Sequence, residues 1–152
     1  MSLQERISAS LKDAMKMKEV ERLSTLRLIN AAIKDKGIAL RGDGAERGVT
    51  DAEILAILGR MVKQRQESVR AYEEGGRLEL AEKERAEIAV IEEYLPRQLD
   101  GSETTTAIDE AIEETGASTI RDMGRVMAAL KAKYTGQMDF GAVGPMVKDR
   151  LG

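Results

Sequence analysis

The stretch RLSTLRLINAAIKDK, opening at Arg22, carries Arg27, Asn30 and Lys34, and Arg41 follows seven residues further on. At about 100° per residue on a helix, these four side chains fall within roughly 60° of one another. Leu26, Ile29, Ala32, Ile33 and Leu40 gather on the opposite side. That face is core. The other face is cationic, holds one amide, and contains no Asp or Glu. The chemistry open to such a stripe is anion recognition. Arg and Lys at helical spacing neutralise successive phosphates and release counterions, while Asn adds a hydrogen bond to base, ribose or phosphate. The plainer reading is a solvated face.

A second basic cluster lies in MGRVMAALKAKYTGQMDFG, residues 123–141. Met123, Val126, Met127, Leu130 and Tyr134 make a core stripe, with Arg121, Arg125, Lys131 and Lys133 around it. A basic last turn favours the helix dipole and also suits a phosphate-facing turn. Arg125, Lys131 and Lys133 therefore join Arg27, Asn30, Lys34 and Arg41 as candidate RNA-binding residues. Gly124 sits inside this helix, and close packing of a neighbour is the commoner reason for such a glycine.

Arg60, Lys63 and Arg70 line one side of the third helical stretch, which runs from Thr50 to about Glu74, interrupted by Glu67. Arg65 falls within its apolar stripe, and a structural pairing with a Glu of the next helix is expected. The Glu-rich run AEKERAEIAVIEEY offers Glu84 with Glu87, or Glu79 with Glu82, as carboxylate pairs for a divalent metal. Metal sites usually recruit several elements, and no His assists here. A solvated acidic face is the preferred reading, with no metal and no cofactor expected.

The composition narrows the chemistry further. The 152 residues include no Cys and no His. That excludes thiolate nucleophiles, disulfides and zinc–thiolate sites, and removes the commonest general base. No catalytic residue is expected. Net charge is −3, but the distribution alternates. Residues 22–70 hold ten Lys/Arg against six Asp/Glu, residues 73–93 three against eight, and residues 99–118 none against six. Residues 119–152 return to six against three. An anionic partner is compatible with basic segments turned to one side. No apolar run approaches the roughly 20 residues that span a bilayer, and MSLQERISASLKDAMK has no apolar signal block. No membrane association and a cytosolic location are expected.

The elements that must position these residues are helices. Leu3, Ile7, Leu11 and Met15 recur every four residues and predict a helix over about 2–18. A second runs from Val20 to Leu40, and RGDGAERGVT (41–50) reads as a mobile loop. Thr50 and Glu53 form a capping-box pattern opening a third helix to Glu74. A fourth runs from Leu78 to Leu95, where Pro96 stops it. PRQLDGS (96–102) is the best boundary, dividing 1–96 from 97–152. Short helices follow over 103–115 and 120–134, the latter opened by Thr119 and Asp122. A last helix is capped by Asp139 or begins at Gly144, since Pro145 would otherwise lie in its second turn. The expected fold class is all-α, with a four-helix N-terminal part and a small three-helix C-terminal part.

Three stretches, in this order, resemble the GatB/YqeY family: RLSTLRLINAAIKDK, MVKQRQESVRAYEEGGRLELAEKERAEIAVIEEYLPRQL and MGRVMAALKAKYTGQMDFG. The likeness is to a stand-alone YqeY-like protein and covers nearly the whole chain. It implies an all-helical fold of two parts. The second part is similar to the tail domain of the B subunit of the glutamine-dependent amidotransferase that acts on misacylated Asp- or Glu-tRNA. There the tail is implied to contact tRNA rather than perform the chemistry. The resemblance thus implies a non-catalytic accessory that binds tRNA or another structured RNA. Two alternatives stand beside it. One is amidotransferase activity with glutamine as nitrogen donor, which the missing Cys, Ser-rich amidase loop and phosphate site oppose. The other is a helical module with a protein partner.

Overall fold

The computed structural model describes residues 2–45 and 47–152. Among the described residues there are seven α-helices, one 3-10 turn and no strand, so the all-α expectation holds. The chain divides into two compact units, residues 1–95 and 96–152.

The first unit contains α1 (Leu3–Lys16), α2 (Val20–Gly42), α3 (Asp51–Glu74) and α4 (Leu78–Glu92). Its core is aliphatic: Ile7, Leu26, Ile29, Ile54, Leu58 and Ile91 are fully buried. Sealing each such side chain contributes about 1.5–3 kcal/mol. The expected inner face of α2 is the observed one, with Leu26, Ile29, Ile33 and Leu40 buried and Ala32 packed against the same core.

The second unit contains α5 (Gly101–Thr115), a 3-10 turn at Ile120–Asp122, α6 (Met123–Tyr134) and α7 (Phe140–Leu151). Ile108, Val126, Leu130 and Val147 form its centre. Asp139 caps α7, its carboxylate accepting from the Gly141 N–H at 3.0 Å, so Pro145 does lie inside the helix. Of the two geometries open in the sequence, the structure takes the one that forgoes a backbone bond. The residue whose carbonyl faces the proline ring, four positions back, is the exposed Gly141. Gly124 is not a packing glycine: a Cβ there would meet nothing within 4 Å. The boundary segment after Pro96 is tied into the second unit. The Leu99 N–H donates to the Gln137 carbonyl at 3.0 Å, and the Gln137 side-chain amide donates to the Arg97 carbonyl at 3.1 Å.

Helix ends follow a common device. After α2, α3 and α5, a glycine in the left-handed region (Gly44, Gly76, Gly116) lets the next N–H reach back to a last-turn carbonyl. After α1 the same closure is made by Lys18 at φ 57°, with the Glu19 N–H donating to the Ala14 carbonyl at 3.0 Å. An L-residue pays for its Cβ in that region. Lys18→Gly should therefore raise stability by up to about 1 kcal/mol. A lower midpoint in denaturant melts would show that the turn is not held this way.

Carboxylates take part in the starts of α3, α5 and the 3-10 turn. Thr50 and Glu53 form a reciprocal box at α3, as the sequence predicts, and Asp100 and Glu103 form a second at α5. Asp122 accepts from the Ser118 and Thr119 N–H groups at 2.9 and 3.2 Å. Arg47, then the Thr50 N–H, hold Glu53 down to about 2. Arg97, then the Asp100 N–H, do the same for Glu103, also about 2. The Ser118 N–H, then Arg125, lower Asp122 to about 2. These depressed values mean that the folded state favours the ionised form. The contribution is complete above the ordinary carboxylate range near 4.5 and is lost as pH falls through about 2. Thermal melts followed by circular dichroism should weaken over that window. Glu53→Gln and Glu103→Gln should flatten the decline, and an unchanged profile in the double variant would remove the caps as its cause.

Candidate functional site

The cationic stripe lies on the outer face of α2, where the core positions of the helix force it. Arg27, Lys34 and Arg41 are exposed, and Asn30 is half-buried. They stand in heptad register, which holds the three cations nearly in line, drifting only about 20° per heptad. None of the four side chains makes a hydrogen bond or ion pair among the described residues. Elsewhere Arg22, Arg47, Arg65, Arg85, Arg97 and Arg150 are all engaged with carboxylates.

Asn30, Lys34 and Arg41 border a groove of about 470 Å³. Gln4 and Ser8 of α1 form one wall, Gly48 and Val49 of the α2–α3 connection the other, and Ile33 lies at the floor. Arg27 continues the line beyond the groove's end. No acid and no aromatic ring is among the described residues that line it. Gly37 leaves the middle of the groove without a side chain; a Cβ there would sit in ordinary contact, 3.7 Å from Val49 Cγ2. Gln4 and Ser8 were not among the residues singled out from sequence. Their i, i+4 spacing beside the apolar stripe of α1 is a weak signal, because only packing of α1 on α2 turns it toward the groove.

The C-terminal candidates are not assembled in the same way. Arg125 donates to the Thr115 carbonyl at 3.0 Å and to Asp122 at 2.6 Å, so it secures the end of α5 and the turn before α6. Lys131 and Lys133 are exposed, but residues two apart on a helix point about 160° away from each other. Lys133 Nζ stands 5.7 Å from the Tyr134 ring centre. The basic end of α6 is thus a dispersed set of charges, unlike the single line on α2.

Three of the four carboxylates that could pair on a metal engage arginines. Glu87 pairs with Arg65, Glu82 with Arg85 and Glu79 with Arg77. The expected structural role of Arg65 is observed: its Nε donates to Glu87 Oε2 at 2.8 Å, and its Nη1 to the Met61 carbonyl at 3.2 Å. Among the described residues no group of three or more acidic ligands converges on one point, and no helix is long and apolar enough to cross a membrane.

The sequence matches the Yqey-like protein family over residues 4–151. The chain belongs to this family. Among its relatives is the protein named altered inheritance of mitochondria protein 41, mitochondrial, from Pyrenophora tritici-repentis. It is 29% identical, with 84% of this chain and 71% of the relative covered. A protein of the same name from Clavispora lusitaniae is 34% identical, over 71% of this chain and 56% of the relative. Schizosaccharomyces pombe protein C22F3.15 is 28% identical, over 62% and 73%. Two of these YqeY-like relatives are named as mitochondrial proteins, which overturns the cytosolic placement expected from the sequence. That expectation rested on the lack of an apolar signal block. Mitochondrial targeting segments are amphipathic and Arg-rich, so the criterion had no bearing on them.

Proposed function

We propose that this YqeY-like protein is a non-catalytic RNA-binding protein that holds the sugar–phosphate backbone of a structured RNA, such as tRNA, along α2. The observation that carries this reading is the set Arg27, Asn30, Lys34 and Arg41. Four polar side chains in one line have no internal partner among the described residues, beside a groove whose described lining contains no acid. Cations at successive turns give affinity through counterion release, independent of sequence. The likeness to a tRNA amidotransferase tail supports tRNA as the ligand class. The hydroxyl–carboxylate contacts Ser2–Glu5 and Thr50–Glu53 belong to helix caps, so the proposed contribution is binding and placement.

The test is electrophoretic or fluorescence binding to bulk tRNA at two salt concentrations. Binding should weaken steeply as salt rises, with a slope near −0.7 to −0.9 per phosphate neutralised. Absence of binding at low salt would instead favour a protein partner. The groove between α2 and α4, with Glu21, Glu79, Glu82 and the exposed Val20 on its walls, would then be the surface to examine.

A further inference from the structure

We infer that the α2 groove recognises one strand of an RNA duplex through its ribose hydroxyls, and so discriminates RNA from DNA; this rests on the RNA-binding reading above. The first observation is the hydrogen-bonding character of the lining. Gln4, Ser8 and Asn30 carry acceptors as well as donors. Against phosphate only the donors of these groups are used, because phosphate offers none in return. A 2′-hydroxyl is both donor and acceptor and satisfies such groups. Along α2 the cations Arg27, Lys34 and Arg41 are each about 10.5 Å apart at 1.5 Å per residue. Asn30 fills the first interval, and Gly37 leaves the second open.

The second observation is shape. The groove is concave, walled by α1 on one side and residues 48–49 on the other. Such a surface receives a ridge. It cannot insert into the deep major groove of B-form DNA, as a recognition helix does. The ridge it fits is a sugar–phosphate strand. The third observation decides between a free strand and a paired one. Single-strand binders hold splayed bases on aromatic platforms, and no aromatic residue is among the described lining. A strand whose bases stay stacked in their own duplex needs no such platform, and double-stranded RNA is usually read that way, by shape, phosphate and 2′-hydroxyl.

The experiment compares three ligands of one sequence with the intact protein: a stem–loop RNA, the same stem–loop in DNA, and an unstructured RNA of equal length. The RNA stem should bind about tenfold more tightly than either. An RNA stem with 2′-O-methyl riboses, which keeps the phosphates and removes the hydroxyl donors, should fall to the DNA level with the salt slope unchanged. Ser8→Ala with Asn30→Ala should do the same from the protein side. Gly37→Leu, which fills the groove without altering charge, should abolish the preference. Equal binding of RNA and DNA stems, or tighter binding of the unstructured RNA, would overturn the inference while leaving RNA binding intact. Failure of all three ligands to bind at low salt would overturn both.

Discussion

Reversing Arg27 and Lys34 to Glu should lower the affinity for tRNA on the order of ten- to a hundredfold near 100 mM salt and reduce the salt slope by roughly two. Two phosphate contacts are lost, and two carboxylates are placed against a polyanion. The fold should tolerate the change. Both side chains are exposed and make no bond among the described residues, and such substitutions usually cost within about 0.5 kcal/mol. Thermal melting of the double variant is therefore the control, and it should coincide with that of the parent. Lys131 and Lys133 changed to Glu should have a smaller effect, because their side chains diverge around α6 and cannot meet one strand together. A double α2 variant that keeps both affinity and slope would reduce the stripe to a solvated face. Equal losses from the α2 and α6 pairs would instead show that overall charge, not the line on α2, governs binding.

The contrast between α2 and α6 shows what the sequence made legible. On α2 the spacings 27, 30, 34 and 41 are helical, and every core position opposes them, so stripe and core are deduced together. At the end of α6, proximity in sequence passes for proximity in space, and the 200° step between Lys131 and Lys133 dissolves the cluster. The partners of Arg125, Asp122 and the Thr115 carbonyl, depend on how the chain turns between α5 and α6, which residue spacing does not encode. Capping follows the same division. Thr50 with Glu53 is read directly, since the motif is local. Asp100 with Glu103 has the same spacing, but the Pro and Gly around it read as linker. The Lys18 turn has no sequence mark at all, because glycine is what such a turn normally announces. The groove walls were out of reach for a deeper reason. Gln4 and Ser8 meet the α2 stripe only through the packing of one helix on another, which no single-helix pattern encodes.

Arg65 and Glu87 should show strong coupling in a double-mutant cycle. Their side chains are only 15% and 18% exposed, where α3 meets α4 in the first unit. Arg65→Met keeps much of the aliphatic stem but strands the Glu87 carboxylate in a largely desolvated position. Hydrogen bonds to charged groups contribute about 1.5–3 kcal/mol, and an unpaired buried charge costs at least as much, so a loss of roughly 2–3 kcal/mol is expected. In a chain of this size that lowers the melting temperature by roughly 10 °C. Adding Glu87→Leu should recover most of it, because an apolar pair of similar volume often replaces a buried ion pair at little or no cost. Arg77→Ala is the surface comparison. Its pairing with Glu79 joins side chains 61% and 71% exposed, a setting in which ion pairs contribute about 0–1 kcal/mol. If the Arg65→Met and Glu87→Leu losses simply add, the pair contributes no coupling energy to the contact between α3 and α4.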